Sequence, residues 1–157
     1  MTLQEELKMQ RPFVAVVEEA VVSIIATKSR VEEALIGMLE RYGITRPQFN
    51  ILRILRGAHP ESLTCSTING RLVEKNPDVT RLLDRLEKAE LVERFRGKQD
   101  RRNVHSVITP KGLHLLLRID KEMLALEHKI MAQLTAEEQK TLILSLQKVR
   151  DQIRTLQ

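Results

Sequence analysis

Apolar residues in this chain recur at intervals of three and four over long stretches and alternate over two short ones, so helices dominate and strands are few. Val17, Val21, Ile24, Val31, Leu35, Met38 and Tyr42 form one helical stripe, interrupted at Lys28 and stopped by Gly43. Thr45 and Gln48 stand at capping-box spacing, with Ile44 and Phe49 as the flanking apolar staple. They open a second helix over roughly 46–56 that ends at Gly57. Thr64, with Leu63 and Ile68 as staple, opens a third that runs to about Leu72. Asn76-Pro77 is an N-cap followed by a first-turn proline and opens a fourth. Its apolar face is Val79, Leu82, Leu83 and Leu86, which leaves Asp78, Thr80, Arg81, Asp84 and Arg85 on other faces.

The period then changes. Leu91 to Arg96 and Val104 to Ile108 read as two short strands joined by the polar loop 97–103. Thr109-Pro110 opens a long helix to about Leu134. Thr135 with Glu138 caps a last one carrying Leu142, Leu146, Val149, Ile153 and Leu156. The expected order is four helices, a hairpin and two helices: a mainly α fold with a small β-hairpin. A compact centre over 45–109 lies between long terminal helices at 1–43 and 110–157, in a chain of single-domain length.

Charge sharpens this picture. The net charge is +5, but residues 1–40 carry 4 Lys/Arg against 7 Asp/Glu, whereas residues 41–102 carry 14 against 8. The basic excess therefore belongs to the centre, where a polyanion would bind. Arg81 and Arg85 lie four apart on one helical face, and an arginine can bond a guanine edge through two N–H groups. The alternative is a solvated face in which Arg81 or Arg85 pairs with Asp84. Arg94, Arg96, Lys98, Arg101 and Arg102 concentrate positive charge on the hairpin, which suits a narrow groove. Asp100 among them is expected to brace Arg102 or Arg94.

Other chemistry finds little support. The single cysteine, Cys65, allows neither an internal disulfide nor a thiolate cage, and it reads as a small residue in a first helical turn. His59, His105, His114 and His128 lack the spacing of a metal site. No catalytic triad order or glycine-rich phosphate loop is present, so neither an enzyme nor a cofactor is expected. The polar N-terminus is unlike a signal peptide and no apolar run is long enough to span a membrane, so a cytoplasmic location is expected.

Taken together, the run Val79-Thr80-Arg81-Leu82-Leu83-Asp84-Arg85-Leu86-Glu87, then Leu91-Val92-Glu93-Arg94, Asp100-Arg101-Arg102 and Ile108-Thr109-Pro110-Lys111-Gly112 resembles the signature of the MarR family of bacterial regulators. The resemblance implies a winged helix-turn-helix flanked by dimerisation helices. It also implies a homodimeric regulator, a repressor that binds an inverted repeat in double-stranded DNA and is released by a small effector. On the same ground Thr80, Arg81 and Arg85 are the expected contacts of the reading helix and Arg101 and Arg102 those of the wing; Asn76, Asp78 and Lys98 beside them are further expected DNA contacts. Three positions depart from the family pattern: Glu90 stands where glycine is usual, Asn69 where alanine is common, and Ser106 where an apolar strand residue is expected. With one Tyr, three Phe and no Trp, the chain has few rings to stack on a planar effector. The competing functions are a winged-helix module for protein contact and a thiol- or metal-sensing regulator.

Overall fold

The computed structural model describes residues 2–75, 78–97 and 103–156. Helices α1 (Leu3–Glu6), α2 (Val16–Glu40) and α3 (Arg46–Ala58) precede strand β1 (Leu63–Thr64). Then come α4 (Cys65–Arg71), α5 (Val79–Lys88), strands β2 (Val92–Arg96) and β3 (Val104–Ile108), and helices α6 (Pro110–Ile130) and α7 (Ala136–Thr155). The chain divides into two compact units, Met1–Ile119 and Asp120–Gln157, with the boundary inside α6.

The helix starts follow the local signals closely. Thr45 accepts from the Gln48 amide while Gln48 bonds back to the Thr45 amide, and Thr135 with Glu138 does the same. Thr64 accepts from the Thr67 amide, and the Thr109 hydroxyl accepts from the Gly112 amide at 3.1 Å. Gly43 takes φ +68 just beyond α2, the left-handed conformation for which glycine is suited. α3 continues to Ala58, slightly past Gly57. α6 ends at Ile130 rather than near Leu134, because the residues that follow turn into the Thr135 cap.

Two features go beyond the expected order. The four-residue α1 carries its own capping box from Thr2 to Glu5, and Arg30 of α2 holds it by an ion pair to Glu6 at 2.9 Å. The sheet has three strands in the order β1-β3-β2, all antiparallel, with Leu63 opposite Ser106 and Arg94 opposite Ser106 on the other side. Leu63-Thr64 thus serves as an edge strand as well as a cap, paired with a partner some forty residues away.

The core of the unit Met1–Ile119 is built from Met38, Leu39, Phe49, Ile51, Leu52, Leu55, Ile68, Leu83, Leu86, Leu116 and Ile119, all under 9 % exposed. Of the α2 stripe only the C-terminal end is buried; Val17, Val21 and Ile24 remain exposed. In the unit Asp120–Gln157, α7 buries none of its residues, and Leu142, Val149 and Ile153 are exposed. No helix among the described residues is long and apolar enough to cross a membrane.

Candidate nucleic-acid interface

The site is centred on α5. Its apolar face buries Val79, Leu83 and Leu86, with Leu82 half-buried, and it packs against α3, α4 and β2. The opposite face presents Thr80, Arg81 and Arg85, all exposed. Asp78 is the N-cap residue, although its side chain makes no cap bond. Asn76 and Pro77, where the sequence places the start of this helix, lie outside the described residues.

Arg94 determines the electrostatics of this face. Valine, arginine and arginine at 92, 94 and 96 share one side of β2, so Arg94 points with the buried Val92. Its side chain is 15 % exposed, is bonded to the Asp84 carboxylate and lies 3.7 Å from that of Glu87. Those are the only two acids within α5. Engaged by the strand, they leave Arg81 and Arg85 without an ion pair among the described residues. Arg94, a brace in the sequence reading, is bonded to acids of the reading helix; Asp100, expected there to brace Arg102 or Arg94, lies outside the described residues. Lys98, Asp100, Arg101 and Arg102 lie outside the described residues. The flanking strands are closed by the Gly97 amide on the Asn103 carbonyl at 3.1 Å.

Both ends of α5 are tied down. Near its start, Cys65 Sγ and Thr80 Oγ1 are 3.4 Å apart, so the cysteine of α4 rests against a candidate contact residue. Ahead of it, the Lys75 ammonium donates to the carbonyls of Asn69, Gly70 and Leu72 at the end of α4, of which that of Asn69 also accepts from the Leu72 amide. Glu74 pairs with Lys28 at 3.1 Å, which gives a role to the one polar break in the α2 stripe. The bond to Glu74, then the charges of Glu32 and Glu74, raise the Lys28 pKa. Desolvation acts to raise Glu32, but the hydrogen bond and charge of Arg46, with Lys28, outweigh it and hold its carboxyl below the ordinary value.

At its C-terminal end, α5 closes in a Schellman motif: the Leu91 amide donates to the Leu86 carbonyl at 2.9 Å and the Glu90 amide to that of Glu87 at 2.8 Å. The left-handed residue is Glu90, φ +60, at the position where glycine is usual. The Thr109 hydroxyl donates to the Glu90 carbonyl at 2.7 Å, the Thr109 amide to that of Leu91 at 3.1 Å, and Lys111 pairs with the Glu90 carboxylate at 2.7 Å. The hydrogen bond from Lys111, then its charge, lowers the Glu90 pKa. Gly112 is required by this close approach: a Cβ there would drive into the Leu91 carbonyl oxygen and come within 2.8 Å of Ile108 Cγ1.

The two other departures have different outcomes. Ser106 is 1 % exposed, and its hydroxyl has no hydrogen-bond partner among the described residues, so the substitution leaves a polar atom in the sheet's inner face. Asn69 is half-buried and its carbonyl receives Lys75. The sequence missed this Lys75 cap, because a lysine after a helix carries no mark of which carbonyls it will reach.

Comparison with known proteins agrees with this architecture. A family model described as MarR family matches residues 44–104. The transcriptional regulator PecS of Dickeya dadantii is 34 % identical over 121 residues, 73 % of this chain and 72 % of that protein. The crystal structure of a MarR transcription factor from Planctomyces limnophilus superposes with a TM-score of 0.69 at 30 % identity, covering 87 % of this chain and 98 % of the other. A mutant MarR from E. coli, crystallised in complex with operator DNA, gives a TM-score of 0.73 at 25 % identity over 95 % and 99 % of the two chains.

Proposed function

Because this chain belongs to the MarR family, we propose that it is a sequence-specific transcriptional regulator, a repressor that binds an inverted-repeat operator in double-stranded DNA as a homodimer. The observation that carries this reading is the division of charge around α5: Arg94 engages Asp84 and Glu87, and Thr80, Arg81 and Arg85 stand exposed on the outer face. Helices that read DNA offer base edges such a face while a second element holds the phosphates. In this reading Asn76, Asp78 and Thr80 lie at the entering turn, Arg81 and Arg85 reach bases, and Lys98, Arg101 and Arg102 contact backbone and minor groove. The solved complex of the E. coli relative with operator DNA supports the same use of the shared fold.

Exposed apolar residues support the homodimer. Val17 is 74 % exposed and Val21 57 % on α2, and Ile153 is 48 % exposed on α7, an unfavourable arrangement for helices left uncovered. A two-fold pair would also set two reading helices about one turn of DNA apart, roughly 34 Å. Release by a small effector and action in the cytoplasm complete the proposal. The relatives are regulators, and we assign this chain no catalytic role.

The deciding experiment is selection of bound sequences from a random duplex pool, followed by affinity measurements across a salt series. An enriched inverted repeat with steeply salt-dependent affinity is expected. Absence of enrichment together with a flat salt response would favour a protein-contact module. Sedimentation at micromolar concentration should give a dimer of the 18.1 kDa chain, and a monomer would overturn that part.

A further inference from the structure

A cationic groove runs along α3, on a side of that helix that the DNA reading does not use. α3 buries Gln48, Phe49, Ile51, Leu52 and Leu55, and α5 packs against it. Asn50, Arg53 and Ile54 stand on the opposite face, with Arg53 exposed and the other two half-buried. Together with Arg71, Leu72 and Val73 at the end of α4 they line a cleft of about 280 Å³ within the unit Met1–Ile119. A second cleft of the same volume shares Asn50, Leu72 and Val73 with it and extends the groove to Pro47 and Arg46 at the start of α3. From Arg46 to Arg53 the helix rises about 10 Å, so the groove is longer than one side chain.

The charges along this groove are unevenly matched. At its far end the acids are engaged: Glu32 pairs with Arg46, and Glu74 with Lys28. Arg53 and Arg71 have no carboxylate partner among the described residues. Neither α3 nor α4 contains an acidic residue, so the helices that carry these two arginines offer them none. Arg53 is nevertheless held: its guanidinium carbon lies 5.7 Å from the centre of the Phe49 ring. Stacking uses the face of the guanidinium and leaves its in-plane N–H fork available, and part of the entropy of immobilising a long side chain is lost before any partner arrives. Beside Arg71, Val73 is 95 % exposed, so an apolar side chain stands in water next to an unpaired cation.

We propose that this groove docks a short acidic segment of another protein. One aliphatic side chain of the segment covers Ile54 and Val73, and carboxylates flanking it pair with Arg53 and Arg71. Each cleft falls just below the roughly 300–1,000 Å³ typical of small-molecule sites and opens into the other, which suits a peptide chain better than a compact ligand. Inorganic phosphate would satisfy the arginines and leave Val73 wet; a neutral apolar segment would do the reverse. The charge pairs fix the register of the segment and speed its encounter, so binding weakens with salt. Because α5 turns its inner face to α3 and its outer face to DNA, the segment and a duplex can be held at the same time.

The test uses the full chain and a fluorescein-labelled synthetic peptide that repeats two glutamates and a leucine, followed by anisotropy at low salt. Saturable binding is expected, weakened at least about tenfold when every glutamate is replaced by glutamine or every leucine by serine. Arg71→Ala and Val73→Ser, both at exposed positions, should each weaken the parent peptide by about the same factor, with circular dichroism unchanged. Arg53→Ala should do so too, and Lys148→Ala, an exposed cation on α7, should leave binding as it is. Excess of the duplex selected from the random pool should not displace the peptide, and the peptide arm stands whether or not a sequence is enriched. Binding that does not saturate, equal binding of the glutamine peptide, equal binding by Arg71→Ala and the parent, or displacement by the duplex would each overturn the proposal. So would an unbound peptide with a change in sedimentation on Arg53→Ala and Arg71→Ala together, which would give the groove to a second copy of the chain.

Discussion

The Arg94 guanidinium reaches from β2 to the Asp84 carboxylate on α5, so an acid that neighbours Arg85 in sequence neutralises a strand residue instead of its own helix. The bond locks the sheet to the reading helix and keeps the outer face of that helix positive. Arg94→Ala should therefore act twice. The pair is partly buried on the arginine side and half-exposed on the aspartate side, which places the stability loss on the order of 1–2 kcal/mol in urea unfolding. Freed Asp84 and Glu87, no longer neutralised by the strand, should also lower DNA affinity. Adding Asp84→Ala to Arg94→Ala should recover part of that affinity, and no recovery would show that the two residues act independently.

Arg81 and Arg85 should differ from the wing arginines in what their replacement does. Arg81→Ala or Arg85→Ala is expected to cost roughly 1–3 kcal/mol on the selected sequence and less on random duplex. Arg101→Ala or Arg102→Ala should weaken both DNAs more evenly and reduce the salt slope by about one unit for each phosphate no longer neutralised. Fluorescence anisotropy at several salt concentrations separates the patterns. If all four variants bound like the parent, the assignment of the reading face would be wrong.

The left-handed Glu90 predicts a stabilising substitution at the end of α5. A residue with a Cβ is strained at φ +60, and the Lys111 pair that the substitution removes is highly exposed. Glu90→Gly should raise the melting temperature by about 2–4 °C. Gly112→Ala should do the opposite, costing about 1–3 kcal/mol through overpacking against Leu91 and Ile108. Calorimetry on the two variants decides both signs.

Ser106 offers a separate gain. Its buried hydroxyl lacks a partner among the described residues, so Ser106→Ala removes a desolvated polar atom at little packing cost. A gain of about 1 kcal/mol is expected in urea titrations. A loss of similar size would mean that the hydroxyl is satisfied in solution.

Acid sensitivity should be traceable to the helix cap at Glu138. Its carboxyl is held below the ordinary value, first by the Thr135 amide and then by the Thr135 hydroxyl. A carboxylate with a depressed folded-state pKa contributes stability above its unfolded pKa, roughly 4.3, and loses that contribution as pH falls through the folded value. Glu138→Gln keeps an acceptor for the cap and removes the charge. The parent should exceed this variant in stability near neutral pH, with the gap closing below about pH 4. A gap independent of pH would assign the difference to packing.

The elements that sequence reveals well are those whose causes lie within a few residues. Thr45 with Gln48, Thr135 with Glu138 and the Val79-to-Leu86 face each specify a helix through neighbours one or two turns away, and alternation at 92–96 and 104–108 specifies the hairpin. The basic centre and the exposed face of α5 follow from composition and period in the same way. Tertiary structure alone decided which charges remain available. The Arg94 bond to Asp84 closes across ten residues, the β1 pairing across about forty, and Arg118 meets Tyr42 across 76. In each case two segments meet because the core brings them together, and a charge or hydrogen-bonding group then takes whichever partner packing places beside it, at a separation that no local periodicity encodes.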